Sequence, residues 1–175
     1  MSERPNIILK QLEFEDADSL FSLVDRNRPQ LKKFWWEAQT QTALDSLKFI
    51  EAARTDEQYS RRPSRGIWHD DRLIGIGSIH SVDWDLGRAA LGYWIDKDEW
   101  GKGFATETAR QLSQLAFGQL GLKVLTISCR ASNTASRAVA EKVGFQLTGI
   151  DTHASWRSSS SGATEIAHYE LIKTA

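Results

Sequence analysis

An α+β fold on a mixed, largely antiparallel sheet is the architecture the 175-residue sequence predicts, and three features carry it. Up to Arg61 apolar residues recur mainly at helical spacing. From Gly66 the period shortens to that of strands joined by tight turns, which argues for a meander. After that come a strand, a glycine loop, a helix, a strand, a second short helix and a closing hairpin.

The elements follow in order. Ile7 to Glu13 mixes apolar and polar residues and predicts a first strand. Asp16-Ala17-Asp18 suits a helix start, and Leu20, Phe21, Leu23 and Val24 keep helical spacing up to Pro29. Leu31, Phe34, Trp35 and Trp36 follow on a shorter helical piece. Thr42 is placed to cap a helix carrying Leu44, Leu47, Ile50 and Ala53, and Pro63 in the basic stretch Arg61 to Arg65 opposes its continuation. Gly66 to His69, Arg72 to Val82 and Ala89 to Asp96 read as three strands, with turns at Asp70-Asp71 and Asp83 to Gly87. Phe104, Thr108, Leu112, Leu115 and Ala116 line one face of a helix that Gly118 or Gly121 stops. Lys123 to Cys129 reads as a buried strand. Asn133 is a good N-cap for a helix bearing Ala135, Val139 and Val143, which Gly144 closes. Phe145 to Ile150 and Ile166 to Ile172 are the last strands, with the serine-rich stretch Arg157 to Gly162 as a mobile loop between them. No internal repeat or linker interrupts the chain, so one domain over residues 1–175 is expected.

Composition narrows the function. A formal net charge of −1 gives no broad attraction to nucleic acid or to a membrane surface. The single cysteine, Cys129, excludes an intrachain disulfide framework and suits a reducing cytosol. With no apolar leader and no apolar run long enough to span a bilayer, a cytoplasmic protein is expected. The seven tryptophans exceed what a core of this size ordinarily uses, and some fit a cleft that receives another molecule.

The most informative stretch is Trp100-Gly101-Lys102-Gly103-Phe104-Ala105-Thr106, between the strand Leu91 to Asp96 and a helix. The first N–H groups of a helix have no partner within it, and the helix dipole adds partial positive charge there. Glycine removes the Cβ that would hold a phosphate away from the backbone. Gly101 to Thr106 are therefore candidates to grip a pyrophosphate. Lys102 either adds a point charge or lies in solvent.

Taken with Asn133-Thr134-Ala135-Ser136 and Glu141-Lys142-Val143-Gly144-Phe145, in that order and at that spacing, the loop resembles the GNAT superfamily of acetyl-CoA-dependent N-acetyltransferases. Leu31-Lys32-Lys33-Phe34-Trp35-Trp36 before a threonine-led helix is similar to the RimJ/RimL-like branch, whose members include enzymes acetylating Ser- or Ala-initiated ribosomal-protein N-termini. Trp100 stands where the superfamily often has Gln or Arg, and that branch commonly has tryptophan there. A cradle of backbone N–H groups barely depends on this side chain.

The resemblance implies a GNAT-like sheet with helices on both faces, acetyl-CoA as co-substrate and no metal. The backbone of Tyr93, Trp94 and Ile95 would meet the pantetheine arm, with the N–H near Tyr93 polarising the thioester carbonyl as an oxyanion hole. Asn133 would contact the CoA arm, or serve only as an N-cap. Ser136 matches a position from which the branch's serine reaches the CoA sulfur and protonates the departing thiolate, or it is a first-turn serine. The tyrosine acid of another family pattern is replaced by Ala140. Trp35 and Trp36 are candidates to line the acceptor cleft. Exposed apolar strands in the family pair as dimers, so a homodimer is the implied oligomer.

A general base is not evident. Where family members carry a glutamate on the strand before the loop, this chain reads Arg88-Ala89-Ala90-Leu91. Asp83, Asp85, His80 and His153 are the weaker alternatives, acting through water. Lysine (pKa ~10.4) lies far above an α-amine (pKa ~7.8), a difference of ~3.5 kcal/mol in deprotonation. Weak base machinery therefore favours an α-amine acceptor. Gly75-Ile76-Gly77 lacks the third glycine of a dinucleotide fingerprint, the four histidines lack metal-ligand spacing, and a covalent acetyl-Cys129 route is disfavoured. The expected reaction is direct acetyl transfer to a protein N-terminus, with small amines (amino acid, polyamine, antibiotic) as the rival acceptors and a non-catalytic acyl-CoA sensor as the rival class.

Overall fold

The structure, a computed structural model, describes residues 5–32, 39–153 and 164–174. Seven strands form one sheet in the order β1-β2-β3-β4-β5-β7-β6. They are β1 (Ile8–Lys10), β2 (Ser64–His69), β3 (Arg72–Asp83), β4 (Arg88–Ile95), β5 (Val124–Arg130), β6 (Gln146–His153) and β7 (Thr164–Ile172). The helices are α1 (Ala17–Arg26), α2 (Arg28–Leu31), α3 (Ala43–Ser60), α4 (Phe104–Gly118) and α5 (Thr134–Val143). The β4–β5 pair is parallel, as a helical crossover through α4 requires, whereas β1–β2, β2–β3, β5–β7 and β6–β7 are antiparallel. The expected α+β class with a mixed, largely antiparallel sheet is what the chain forms.

The chain divides into two compact units. The first comprises Met1–Ser78 and Tyr93–Thr108. Here the strand period of two sends alternate residues to opposite faces. Trp68, Leu73 and Ile76 pack with Leu20, Leu23 and Val24 of α1 and Ile50 of α3. Ile67, Ile74 and Ile95 pack instead with Phe104 at the start of α4. Thr42 caps α3 in a reciprocal box with Asp45: the Asp45 N–H donates to Thr42 Oγ1 at 3.3 Å and the Thr42 N–H to Asp45 Oδ2 at 2.9 Å. The helix ends at Arg61, which takes a left-handed conformation just before Pro63. Asp70 and Asp71, with φ of 46° and 59°, make the two-residue hairpin turn between β2 and β3.

The second unit comprises Ile79–Gly92 and Ala109–Ala175. Leu125, Ile127 and Cys129 of β5 are buried, as are Ala167 and Tyr169 of β7. Tyr169 donates its hydroxyl to Glu141 Oε1 at 2.9 Å and accepts from Arg137 Nε at 2.9 Å, which fixes α5 on the sheet. Gly144, at φ 105°, closes α5.

Three expectations shift. The first strand spans only Ile8–Lys10, because Phe14–Asp16 form a 3-10 turn that leads into α1. Pro29 does not end the helical region; it stands in the first turn of α2, where its missing N–H costs no helical bond. The strand predicted from Phe145 begins at Gln146 and continues to His153. Phe34, Trp35, Trp36 and the stretch Arg157 to Gly162 lie outside the described residues.

Candidate functional site

The glycine loop belongs to the first unit, and its entry is fixed by β3. The Asp96 N–H donates to the Ile74 carbonyl at 2.7 Å. A Cβ built on Gly75 would stand 2.3 Å from the Trp94 carbonyl oxygen. Gly75 is therefore what lets the end of β4, with Tyr93, Trp94 and Ile95, lie this close to β3. Gly75, part of the stretch that fails as a dinucleotide motif, thus finds its use in packing.

Below the loop sits a buried acid. Asp96, with a side chain 2% exposed, accepts from Arg26 Nε at 2.7 Å and from Asn27 Nδ2 at 3.0 Å. Burial pushes its carboxyl up, but the bonds from Arg26, Asn27 and the Asp98 N–H outweigh that, and it lies below the ordinary carboxylate range. Asn27 Oδ1 in turn accepts from the Lys97 N–H at 2.9 Å. Glu99, also buried, accepts from Lys102 Nζ at 2.7 Å and from Arg72 at 2.5 Å. The Lys102 bond leads in holding the Glu99 carboxyl below its usual range, against burial. The Lys102 side chain is exposed, and its ammonium is tied to Glu99 beside the loop.

Trp100 is exposed, and its indole N–H donates to the Ile95 carbonyl at 2.9 Å, closing the turn over the strand end. Gly101 and Gly103 have φ of 78° and 83°, where other residues are strained, and a Cβ on Gly101 would meet nothing within 4 Å. α4 starts as the Glu107 N–H donates to the Gly103 carbonyl at 3.0 Å. The N–H groups of the turn before it are left without intrahelical partners. Phe104 is buried, with the His69 ring 4.6 Å from its own. A glycine turn with open space above it and a helix N-terminus behind it is arranged to receive an anion.

The second unit holds Asn133 and Ser136. Asn133 caps α5, its side-chain oxygen accepting from the Ser136 N–H at 3.2 Å. The Ser136 side chain is near enough to the Cys129 thiol to favour its thiolate form. Burial raises the Cys129 thiol, with Ser136 and the Arg137 charge opposing more weakly. A thiol kept protonated is a poor nucleophile.

Of the weaker base alternatives, Asp83 and His80 have structural partners. Asp83 Oδ1 accepts from the Leu86 N–H at 2.9 Å, fixing the β3–β4 turn, and His80 Nδ1 lies 3.0 Å from the Ser81 hydroxyl. Arg88, in the stretch Arg88 to Leu91 that lacks the glutamate, pairs with Glu170 of β7. Sequence reasoning missed His168, which lies opposite Ser128 across β5 and β7. Its ring contacts Ser128 and Asp151, residues whose separation in sequence gave no signal. Trp35 and Trp36 lie outside the described residues, as does the side chain of His153. Among the described residues no group of His, Cys, Asp and Glu could hold a metal ion, and no helix is long and apolar enough to cross a membrane.

The sheet, the glycine turn and the capped α5 define an acyl-CoA-dependent transferase fold. Residues 6–146 match the model of the acetyltransferase (GNAT) domain. The chain is 32% identical over 142 residues to YdaF of Bacillus subtilis, named as a ribosomal N-acetyltransferase, covering 80% of this chain and 78% of that one. It is 28% identical over 132 residues to the ribosomal-protein-serine acetyltransferase of Escherichia coli, covering 74% and 73%. Among solved structures, the microcin C7 self-immunity acetyltransferase MccE, in complex with acetyl-CoA and AMP, superposes with a TM-score of 0.86 at 26% identity, covering 95% and 92%. The chain belongs to the GNAT acetyltransferase family. It is an N-acetyltransferase that uses acetyl-CoA as its co-substrate.

Proposed function

We propose that the chain is a single acetyltransferase domain that transfers acetyl from acetyl-CoA to the N-terminal α-amine of a protein, with a Ser- or Ala-initiated ribosomal-protein terminus as the substrate class. The observation that carries the acceptor is the stretch Arg88-Ala89-Ala90-Leu91, which holds no carboxylate in the region matching the family's glutamate base, and whose Arg88 is paired with Glu170. An enzyme without that carboxylate is best matched to the amine that is easiest to deprotonate, and the names of the relatives from B. subtilis and E. coli agree with that reading.

In this reading Gly101, Lys102, Gly103, Phe104, Ala105 and Thr106 hold the pyrophosphate through their backbone. Lys102 acts as a charge already shared with Glu99. The backbone of Tyr93, Trp94 and Ile95 runs beside the pantetheine arm, and the N–H near Tyr93 supports the oxyanion of the tetrahedral intermediate. Asn133 meets the arm from its capping position. The amine attacks the thioester carbon, the C–S bond breaks on collapse, and the Ser136 hydroxyl gives its proton to the departing thiolate. The working state is cytoplasmic and homodimeric, and the exposed Leu147 and Ile150 of β6, the last strand of the sheet, support the pairing.

The second reading is a small-molecule amine acetyltransferase, which the likeness to MccE favours. Mass spectrometry of acetyl-CoA reactions with Ser- and Ala-initiated peptides and with a panel of small amines separates the two. Acetylation at the peptide α-amine is the expected result. Small amines acetylated while the peptides stay unmodified would overturn the protein-terminus assignment, and tight acetyl-CoA binding without any transfer would select a sensor.

A further inference from the structure

A loop shaped to receive an anion has a buried negative charge at its root. Glu99 stands just before Trp100 and Gly101, and its side chain is only 8% exposed. Each of its carboxylate oxygens holds one cation. Oε1 accepts from Arg72 Nη2 at 2.5 Å, and Oε2 accepts from Lys102 Nζ at 2.7 Å. Arg72 is the first residue of β3, while Lys102 stands between the two glycines of the loop. Both cationic side chains are exposed, at 63% and 54%. The Glu99 carboxyl is held below its usual range, the Lys102 bond leading, so it carries its charge at neutral pH. All three residues belong to the first unit.

Two cations and one carboxylate leave half the positive charge that the cations alone would give, and the neighbouring Asp96 is offset by Arg26. The turn has fastenings besides Glu99. Trp100 donates to the Ile95 carbonyl, and the Glu107 N–H donates to the Gly103 carbonyl. A Cβ on Gly101 would meet nothing within 4 Å, which leaves the backbone there open to an anion. The phosphates of acetyl-CoA take no part in the chemistry, and the product CoA carries the same ones. A grip on them acts equally on substrate, transition state and product. Tightening it lowers KM, leaves kcat no higher and slows the release of CoA. A buried acid that occupies both cations keeps that grip moderate.

We infer that Glu99 sets the affinity for acetyl-CoA by masking Lys102 and Arg72, which leaves the phosphates to the backbone of the glycine loop. The inference rests on the reading that Gly101 to Thr106 hold the pyrophosphate. A lysine flanked by the glycines of such a loop would ordinarily add a charge-assisted bond to a bound phosphate. Here its ammonium is already spent on a carboxylate with little access to water. Moving it to a phosphate would leave that oxygen without its partner, so the exchange gains little. Arg72 is under the same constraint at the other oxygen. Removing the charge of Glu99 frees both cations at once. The net positive charge beside the loop then doubles, facing a ligand with several negative charges.

The test is titration calorimetry of acetyl-CoA and CoA with the purified full chain at low and high salt. The variants are Glu99→Gln, Glu99→Met, Lys102→Ala, Gly101→Ala and the double variant Glu99→Gln with Lys102→Ala. Both Glu99 variants are expected to bind acetyl-CoA and CoA about three- to tenfold more tightly than the parent, with a steeper loss of affinity as salt rises. The double variant returns to within about twofold of the parent, because Arg72 alone restores the parent's net charge. In steady-state kinetics Glu99→Gln lowers the KM for acetyl-CoA without raising kcat. With S-acetylpantetheine, which has no phosphates, its kcat/KM stays within about twofold of the parent's. A gain kept with acetyl-dephospho-CoA places the freed cations on the pyrophosphate, and a gain lost there places them on the 3′-phosphate; both support the masking. Unchanged or weaker acetyl-CoA binding by a folded Glu99 variant makes Glu99 a fastening of the loop only and overturns the masking alone. Should neither Glu99 variant fold, Lys102→Ala decides. A loss above about threefold shows the ammonium gripping phosphate in the parent and overturns the masking, and a smaller loss supports it. Acetyl-CoA binding unchanged in Gly101→Ala overturns the loop reading, and the inference with it.

Discussion

Asn27 spans 69 residues to donate its side-chain amide to Asp96 at 3.0 Å, while the other end of the same amide accepts from the Lys97 N–H at 2.9 Å. One planar group thus ties the end of α1 to the chain that enters the glycine loop. Asn27→Ala or Asp96→Ala leaves buried polar groups without partners, at a cost of about 1–3 kcal/mol. Thermal unfolding should show a midpoint lower by about 2–10 °C, together with weaker acetyl-CoA binding by titration calorimetry. Unchanged values for both variants would mean that the node does not hold the loop.

Acid should act through the same region. The folded-state carboxyls of Asp96 and Glu99 are both depressed, so each contributes stability that is present above its unfolded pKa, near 4, and lost as pH falls through the lower folded value. Parent stability is expected to fall on acidification below about pH 4, and Asp96→Asn to show a shallower slope there. Equal slopes for parent and variant, measured by denaturant titration at each pH, would remove Asp96 from the linkage.

Gly75 tests the close approach of β3 and β4. A methyl group there meets the Trp94 carbonyl oxygen at 2.3 Å, a backbone atom that cannot rotate away. Gly75→Ala is expected to cost about 1–3 kcal/mol in chemical denaturation and to displace the backbone proposed as the oxyanion hole, lowering kcat. Gly77→Ala serves as the companion measurement on the same strand.

The loop glycines separate backbone from side-chain roles. At Gly101 there is space for a Cβ but a φ of 78° that alanine tolerates poorly. Gly101→Ala should weaken acetyl-CoA binding by about tenfold, corresponding to the roughly 1–2 kcal/mol of the left-handed conformation. Lys102→Ala is expected to change it by about threefold or less, because that ammonium is already shared with Glu99. A larger loss for Lys102→Ala than for Gly101→Ala would assign the grip to the side chain.

Ser136→Ala tests the thiolate acid. Turnover should fall by about 10²-fold, with acetyl-CoA affinity nearly kept, since the Asn133 cap uses the Ser136 backbone and not its hydroxyl. Full activity would leave Ser136 as a first-turn serine of α5.

Local chemistry was enough for much of this protein. The capping pair Thr42 and Asp45, the positive-φ turn at Asp70-Asp71, the glycines 101, 103 and 144, and the Asn133 cap each act through neighbours a few residues away. Their roles were therefore legible in the order of residues, and the loop, with the motifs after it, carried the family. Tertiary structure decided what depends on distant partners. It gave Gly75 a backbone oxygen to accommodate, Lys102 a buried carboxylate, Asp96 two donors from the C-terminal end of α1, and His168 a serine and an aspartate from two other strands. Strand pairing and burial create those contacts between residues tens of positions apart, and no local spacing encodes them.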